Sequence, residues 1–206
     1  MAFWRRKKVV SFLVSGSGLL FSSVAKKIVN REIKARNGCV VTDNASAQAL
    51  MRANNIRVPA FFVDPGRYQS REDHEKAIIA LFEKCGTDLV ITAGYLRLLS
   101  HHFVSYYRNR IINIHPSLLP AFPGIHSQRK ALEYGVKITG CTAHFIDEGI
   151  DTGPIIMQRA VMVHEHETEE SLSLKILKEE YGLIAESVKL FCEDRLKIVA
   201  NKVSVR

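Results

Sequence analysis

The chain has 206 residues, 47% apolar and 24% charged, a balance that excludes a disordered or fibrous chain and suits one globular domain with a substantial core. The 29 Lys and Arg outnumber the 21 Asp and Glu, for a formal charge of +8. Beyond Arg5-Arg6-Lys7-Lys8 the positive charge is scattered and is not interleaved with aromatics, so it suits a small anionic substrate better than nucleic acid. Cys39, Cys85, Cys141 and Cys192 are far apart with no C-x-x-C, which speaks against a zinc module or disulfide framework and for buried thiols in a reducing compartment.

The N-terminus admits two readings. A basic start, an apolar run and small residues resemble a secretory signal. A strand, a glycine turn and an amphipathic helix account for the same residues, because Ser15-Gly16-Ser17-Gly18 cuts the apolar run in two. On the second reading this segment is the first β-α unit, preceded by a flexible basic extension over 1–7, and the chain is cytoplasmic. Nothing else approaches the ~20 apolar residues of a membrane span.

Lys8 to Val14 is apolar and β-branched, as a central parallel strand requires. The SGSG turn leads to a helix over Leu19 to Val29, spaced by Leu20, Val24, Ile28 and Val29. Backbone N–H groups at such a turn suit phosphate, although a G-x-G alone also reads as a tight turn and nothing more. A strand over Gly38 to Thr42, a helix over Ala45 to Asn54 and a strand over Pro59 to Val63 follow. Ser70 is the expected N-cap of a helix running to about Lys84, with Ala77, Ile78, Leu81 and Phe82 inside. Arg71 at its start reads as a salt-bridge partner or an anion contact. Asp88 to Thr92 is a strand, Ala93 to Leu99 a loop with exposed leucines, and Ser100 to Tyr107 a short helix.

Arg110 to Gly124, RIINIHPSLLPAFPG, is the centre of the pattern. Its β-branched run ends at His115-Pro116, because proline forces the residue before it out of helical geometry and donates nothing to a ladder. Asn113 and His115 are two residues apart and so share one face of the strand, at the carboxyl end where open α/β sheets bind ligands. An amide can hold an oxyanion and an imidazole can carry a proton; the same spacing also fits a structural polar pair. Beyond it come a helix over Ser127 to Tyr134, a strand over Lys137 to Phe145 carrying His144, and an acidic glycine loop over Asp147 to Pro154. A strand over Ile155 to Val163, a long helix over Thr168 to Phe191 and a terminal strand or tail over Lys197 to Val205 complete the chain. His164 and His166 read as a solvated turn. The expected class is α/β, a doubly wound, mostly parallel, Rossmann-like sheet with an antiparallel C-terminal portion.

NIHPSLLP, together with HF-x-D-x-x-x-D-x-GP at His144 to Pro154, resembles the folate-dependent formyltransferase family, and the likeness runs from about Val9 to Leu196. It implies a single formyltransferase domain over 1–206, with a phosphate-binding half at about 8–105 and a folate and catalytic half at about 106–200. It also implies transfer of a formyl group from 10-formyltetrahydrofolate, a co-substrate, to the amine of glycinamide ribonucleotide (GAR) in purine synthesis, without a metal. Asn113, His115 and Asp151 match the catalytic residues, with His144 a secondary candidate. Arg71, Leu96, Arg97, Leu98, Leu99, Asn113, Asp147 and Asp151 match folate contacts. Gly16, Ser17, Gly18, Leu19, Leu20 and Glu180 match GAR contacts. Asp151 is expected beside His115, where a carboxylate favours imidazolium and orients the ring.

The family's usual Ser-Asn after the glycine turn is replaced by Leu19-Leu20, a commoner lysine by Ala121, and a His and Tyr-Pro pattern by Ile184-Ala185. The partners implied are small molecules, with no nucleic acid, no membrane, and a monomer or weak homodimer. Two other uses of the same site are formyltetrahydrofolate hydrolysis and formylation of initiator methionyl-tRNA, whose extra domains this length leaves no room for. A non-catalytic folate or nucleotide binder is the third reading, which would not need Asn113, His115 and Asp151 together.

Overall fold

The computed structural model describes residues 6–206. The chain divides into two compact units, the first ending at Arg110 and the second running Ile111–Arg206.

In the first unit strands β1 (Lys8–Leu13), β2 (Ala35–Thr42), β3 (Ala60–Phe62) and β4 (Leu89–Thr92) alternate with helices α1 (Leu19–Val29), α2 (Gln48–Asn55), α3 (Arg71–Lys84) and α4 (His101–Tyr106). β1 pairs in parallel with both β2 and β4, and β2 with β3. Flanked on both edges, β1 is buried from Val9 onward, which is why its sequence is a continuous apolar run. Its one buried polar residue, Ser11, is matched inside the core: its hydroxyl bonds Thr87 Oγ1 at 2.7 Å and accepts the Cys39 N–H at 3.2 Å. Phe12 meets Phe21 of α1 edge to face at 4.9 Å. A fully buried side chain of that size contributes roughly 1.5–3 kcal/mol.

Four expectations are corrected here. β2 begins at Ala35, before Gly38, because its polar start ladders onto Lys8, Val9 and Val10. α2 begins at Gln48, after Ala45, because the Asn44 carboxamide accepts the Ser46 N–H at 3.0 Å and holds a side-chain turn there. The inner face of α3 carries His74, Glu75, Ile78, Ile79 and Phe82, while Ala77 and Leu81 are half-buried. Glu75 accepts the Ser100 N–H at 2.9 Å and the Ser100 hydroxyl, and His74 Nε2 donates to the Val63 carbonyl at 2.9 Å, while His74 Nδ1 is buried without a hydrogen-bond partner among the described residues. Cys39 and Cys141 are buried, but Cys85 and Cys192 are only half-buried. Of the expected basic extension, 1–5 lie outside the described residues, and Arg6 is paired with Asp88 at 2.7 Å.

The second unit is antiparallel. β5 (Ile111–His115) pairs with β6 (Ile138–Phe145), and β6 with β7 (Ile155–Met162). Helices α5 (Ser127–Tyr134) and α6 (Glu169–Cys192) and a hairpin of β8 (Leu196–Val199) and β9 (Lys202–Val205) complete it. Thr168 caps α6 reciprocally with Ser171, each side chain taking the other's backbone N–H at 3.1 Å. Leu172, Ile176, Leu183, Ile184 and Val188 form the buried stripe of α6, with Leu177 and Phe191 at its half-buried margin.

The strand order is β3-β2-β1-β4-β5-β6-β7. It is a mostly parallel, doubly wound α/β sheet with antiparallel strands at its C-terminal end. Among the described residues no helix is long and apolar enough to cross a membrane.

Candidate active site

β5 delivers Asn113 and His115 to one face, as period two dictates, and the antiparallel ladder sets His144 of β6 directly opposite Asn113. The Asn113 amide donates from Nδ2 to His144 Nε2 at 3.2 Å. That direction follows from the other ring nitrogen: His144 Nδ1 lies 2.9 Å from the Phe145 carbonyl, which only accepts, so Nδ1 carries the proton and Nε2 the lone pair. Burial holds the His144 pKa below its ordinary value of 6.5, against the opposing pull of the Phe145 carbonyl and Asp151, and keeps the ring neutral.

His115 is held at both ends. Nδ1 lies 3.2 Å from Asp151 Oδ2, and Nε2 donates to the Phe122 carbonyl at 2.9 Å. The chain after His115-Pro116 doubles back to make this possible, with Phe122, Gly124 and His126 all at positive φ (53, 76 and 59°). Asp151 Oδ2 also accepts the Gly124 N–H at 2.8 Å, and Asp151 Oδ1 lies 3.6 Å from His144 Nε2. Asp151 itself stands at φ 55°, a left-handed conformation that aspartate tolerates better than most residues. The loop before it is internally tied: Asp147 Oδ1 accepts the Gly149 N–H at 3.1 Å and the Thr152 hydroxyl at 2.7 Å. Gly153 allows the return into β7, since a Cβ there would lie 1.9 Å from the Phe145 carbonyl oxygen.

One partner was missed in the sequence. Ser127, the first residue of α5 and fully buried, places its hydroxyl 3.0 Å from His115 Nε2 and donates to the Gly124 carbonyl at 3.1 Å. No period or motif links it to His115, 12 residues away.

The remaining residues are placed separately. Glu180, on α6, is buried and makes no hydrogen bond or ion pair among the described residues; burial pushes its carboxyl up to about 7. In the first unit the turn at Gly16–Gly18 has its carbonyls spent: Ser15 O accepts from Asn44 Nδ2 (3.2 Å), Gly16 O from Ala49 N (3.3 Å), and Ser17 O from Arg52 Nε (2.8 Å). Gly18, the N-cap of α1, has φ 68°, and no side chain caps the helix, so its first N–H groups point outward beside half-buried Leu19 and Leu20. In the same unit Leu96 N donates to Ser15 Oγ at 3.0 Å, and Arg71 Nη1 reaches the Leu98 carbonyl at 3.5 Å. Leu96, Arg97 and Leu98 are exposed and Leu99 half-buried. The structure thus gathers Asn113, His115, His144 and Asp151 into one network in the second unit. Among the described residues no group of three or more His, Cys, Asp or Glu is placed to hold a metal ion.

The formyl transferase family pattern matches residues 7–188. The phosphoribosylglycinamide formyltransferase of Bacillus subtilis is 38% identical over 174 residues, 84% of this chain and 89% of the relative. Among solved structures, glycinamide ribonucleotide transformylase 1 from Symbiobacterium toebii superimposes with a TM-score of 0.97 at 42% identity, covering 100% of this chain and 97% of that one. A formyltetrahydrofolate deformylase from Pseudomonas syringae also superimposes, with a TM-score of 0.90 at 26% identity over 97% of this chain and 66% of that one. The chain belongs to the formyl transferase family.

Proposed function

We propose that this enzyme transfers the formyl group of 10-formyltetrahydrofolate to the amine of GAR, giving N-formyl-GAR and tetrahydrofolate in purine biosynthesis. The observation that carries the reading is the network of Asn113, His144, His115 and Asp151, within a chain that matches a glycinamide ribonucleotide transformylase from end to end.

The amine attacks the formyl carbon, and the carbonyl oxygen becomes an oxyanion. Asn113 donates an N–H to it; losing one such donor typically costs ~100- to 1000-fold. A proton must then pass from the attacking nitrogen to the folate nitrogen. His115 is the expected donor or relay for this proton, with Asp151 beside its Nδ1 and the Phe122 carbonyl at its Nε2. The step therefore falls to the His115–Asp151 pair as a unit: His115 Nδ1 orients the carboxylate, and Asp151 takes up and returns the proton. General acid–base terms of this kind contribute typically ~100- to 10,000-fold.

The glycine turn and the start of α1 hold the phosphate through backbone N–H groups and the positive helix end. Glu180 meets the glycinamide portion. The pterin and its tail are contacted by Arg71, by Leu96 to Leu99, and by the loop from Asp147 to Asp151. The enzyme works in the cytoplasm on small molecules, as a monomer or weak homodimer.

The likeness to a deformylase gives water as nucleophile a second hearing. An absorbance assay for the folate product separates the readings, with GAR, formyl-accepting tRNA or no acceptor in parallel cuvettes. Turnover with GAR alone is expected. Turnover without acceptor would make the enzyme a hydrolase, and binding without turnover would make it a folate-binding protein.

A further inference from the structure

Four hydrogen bonds run in a closed ring. His115 Nδ1 meets Asp151 Oδ2 at 3.2 Å, and the same oxygen accepts the Gly124 N–H at 2.8 Å. The Gly124 carbonyl accepts the Ser127 hydroxyl at 3.1 Å, and Ser127 Oγ returns to His115 Nε2 at 3.0 Å. The direction of each bond is set by chemistry. Carbonyls only accept, so Ser127 O–H points at Gly124 and its lone pair faces His115. His115 Nε2–H is then shared between Ser127 Oγ and the Phe122 carbonyl. One peptide unit apart, the two faces of Gly124 thus grip the two ends of one imidazole, through Asp151 on one side and Ser127 on the other.

We infer that Ser127 is a positioning residue for His115, fixing the ring's rotation and keeping the Nε2 proton turned away from the reacting atoms, so that proton traffic is confined to the Asp151 side. Without Ser127 Oγ the Gly124 carbonyl loses its donor, and the His115 ring keeps only the Phe122 carbonyl at Nε2. The imidazole can then rock about its Cβ–Cγ bond and carry Asp151 with it. Ser127 is fully buried, on the first turn of α5, and its hydroxyl reaches the proton-handling pair only through His115 and, by way of Gly124, Asp151.

This inference rests on the formyl-transfer reading for its kinetic arm only. Ser127→Ala and the isosteric, weakly bonding Ser127→Cys are each measured with both substrates, beside Ser127→Thr, which keeps a hydroxyl. Expected are kcat values about 10-fold lower or more in Ala and Cys, KM values within about twofold, and recovery in Thr, since small misplacements of a reacting group are costly. A kcat within twofold of the parent in a folded Ala or Cys variant overturns the proposal, as does an equal loss in Thr. The second arm needs no turnover: in protein with 15N-labelled histidine, the His115 Nε2 resonance should move in Ala and Cys and stay in Thr. An unmoved resonance also overturns it. If the parent shows no transfer to GAR while the resonance behaves as expected, the functional reading fails and the positioning role stands.

Discussion

Asn113 and His144 face each other across the β5–β6 ladder, and the amide donates an N–H to a histidine that burial keeps neutral. The tautomer is fixed one atom further on, by the Phe145 carbonyl. The orientation of the proposed oxyanion donor is therefore decided by a residue on the neighbouring strand.

His144→Leu should test this. The amide loses its acceptor, at a cost of roughly 1–3 kcal/mol in stability, and kcat should fall about 10- to 100-fold with little change in KM. The variant should also change acid stability. The His144 pKa is below 6.5 in the fold, so the unfolded chain takes up a proton that the folded chain does not, and stability is lost as pH falls below 6.5. Denaturant titrations at neutral and mildly acidic pH should show a smaller acid-side loss in the variant than in the parent.

Asp151→Asn and His115→Ala should each lower kcat by ~100- to 10,000-fold, because each removes a member of the pair that handles the proton. Asparagine can still accept the Gly124 N–H, so Asp151→Asn keeps the loop's hydrogen bond while losing the charge. Single-turnover formyl transfer is the measurement. If either variant keeps activity within a few-fold of the parent, the proton does not travel by this pair.

The strand bearing Asn113 and His115 was legible because β-branched runs, prolines and period two are local signals. The stripe of α6 was legible because it repeats. What stayed hidden depends on pairings across the chain. Ser127 is an unremarkable helix-start serine until the loop from Pro116 to Gly124 folds it under His115. The paired ends of β8 and β9 read only as a strand or tail because their turn has no glycine; Ala200 takes φ 52° instead. Glu75 and His74 broke the expected face of α3 because their partners, Ser100 and Val63, lie on other segments. The sequence suggested His115 as a proton carrier beside Asp151, and only the folded loop adds the Phe122 carbonyl and Ser127 at its Nε2.

Glu180 gives a pH dependence of definite sign. Its carboxyl titrates at about 7 in the fold against an ordinary 4.5, so the folded chain holds a proton that the unfolded chain has released. The contribution is fully present below 4.5 and is lost as pH rises through 7. The full loss is on the order of 3 kcal/mol. Glu180→Gln should remove it, making the variant the more stable protein above neutrality in urea titrations while raising KM for the acceptor. A variant that shows the parent's slope of stability against pH would place the titrating group elsewhere.

The glycine turn yields the last prediction. Leu19 and Leu20 stand where the family usually supplies Ser and Asn, and no side chain caps α1. If phosphate is held there by backbone N–H groups, adding two side-chain donors should tighten it. The double substitution Leu19→Ser, Leu20→Asn should lower KM for GAR several-fold at unchanged kcat, at about 1 kcal/mol per leucine in lost burial. The dephosphorylated acceptor serves as the control, since its KM should not respond. An equal response of both acceptors would mean that the substitution reshapes the amine end of the site, and that the phosphate is bound by other residues.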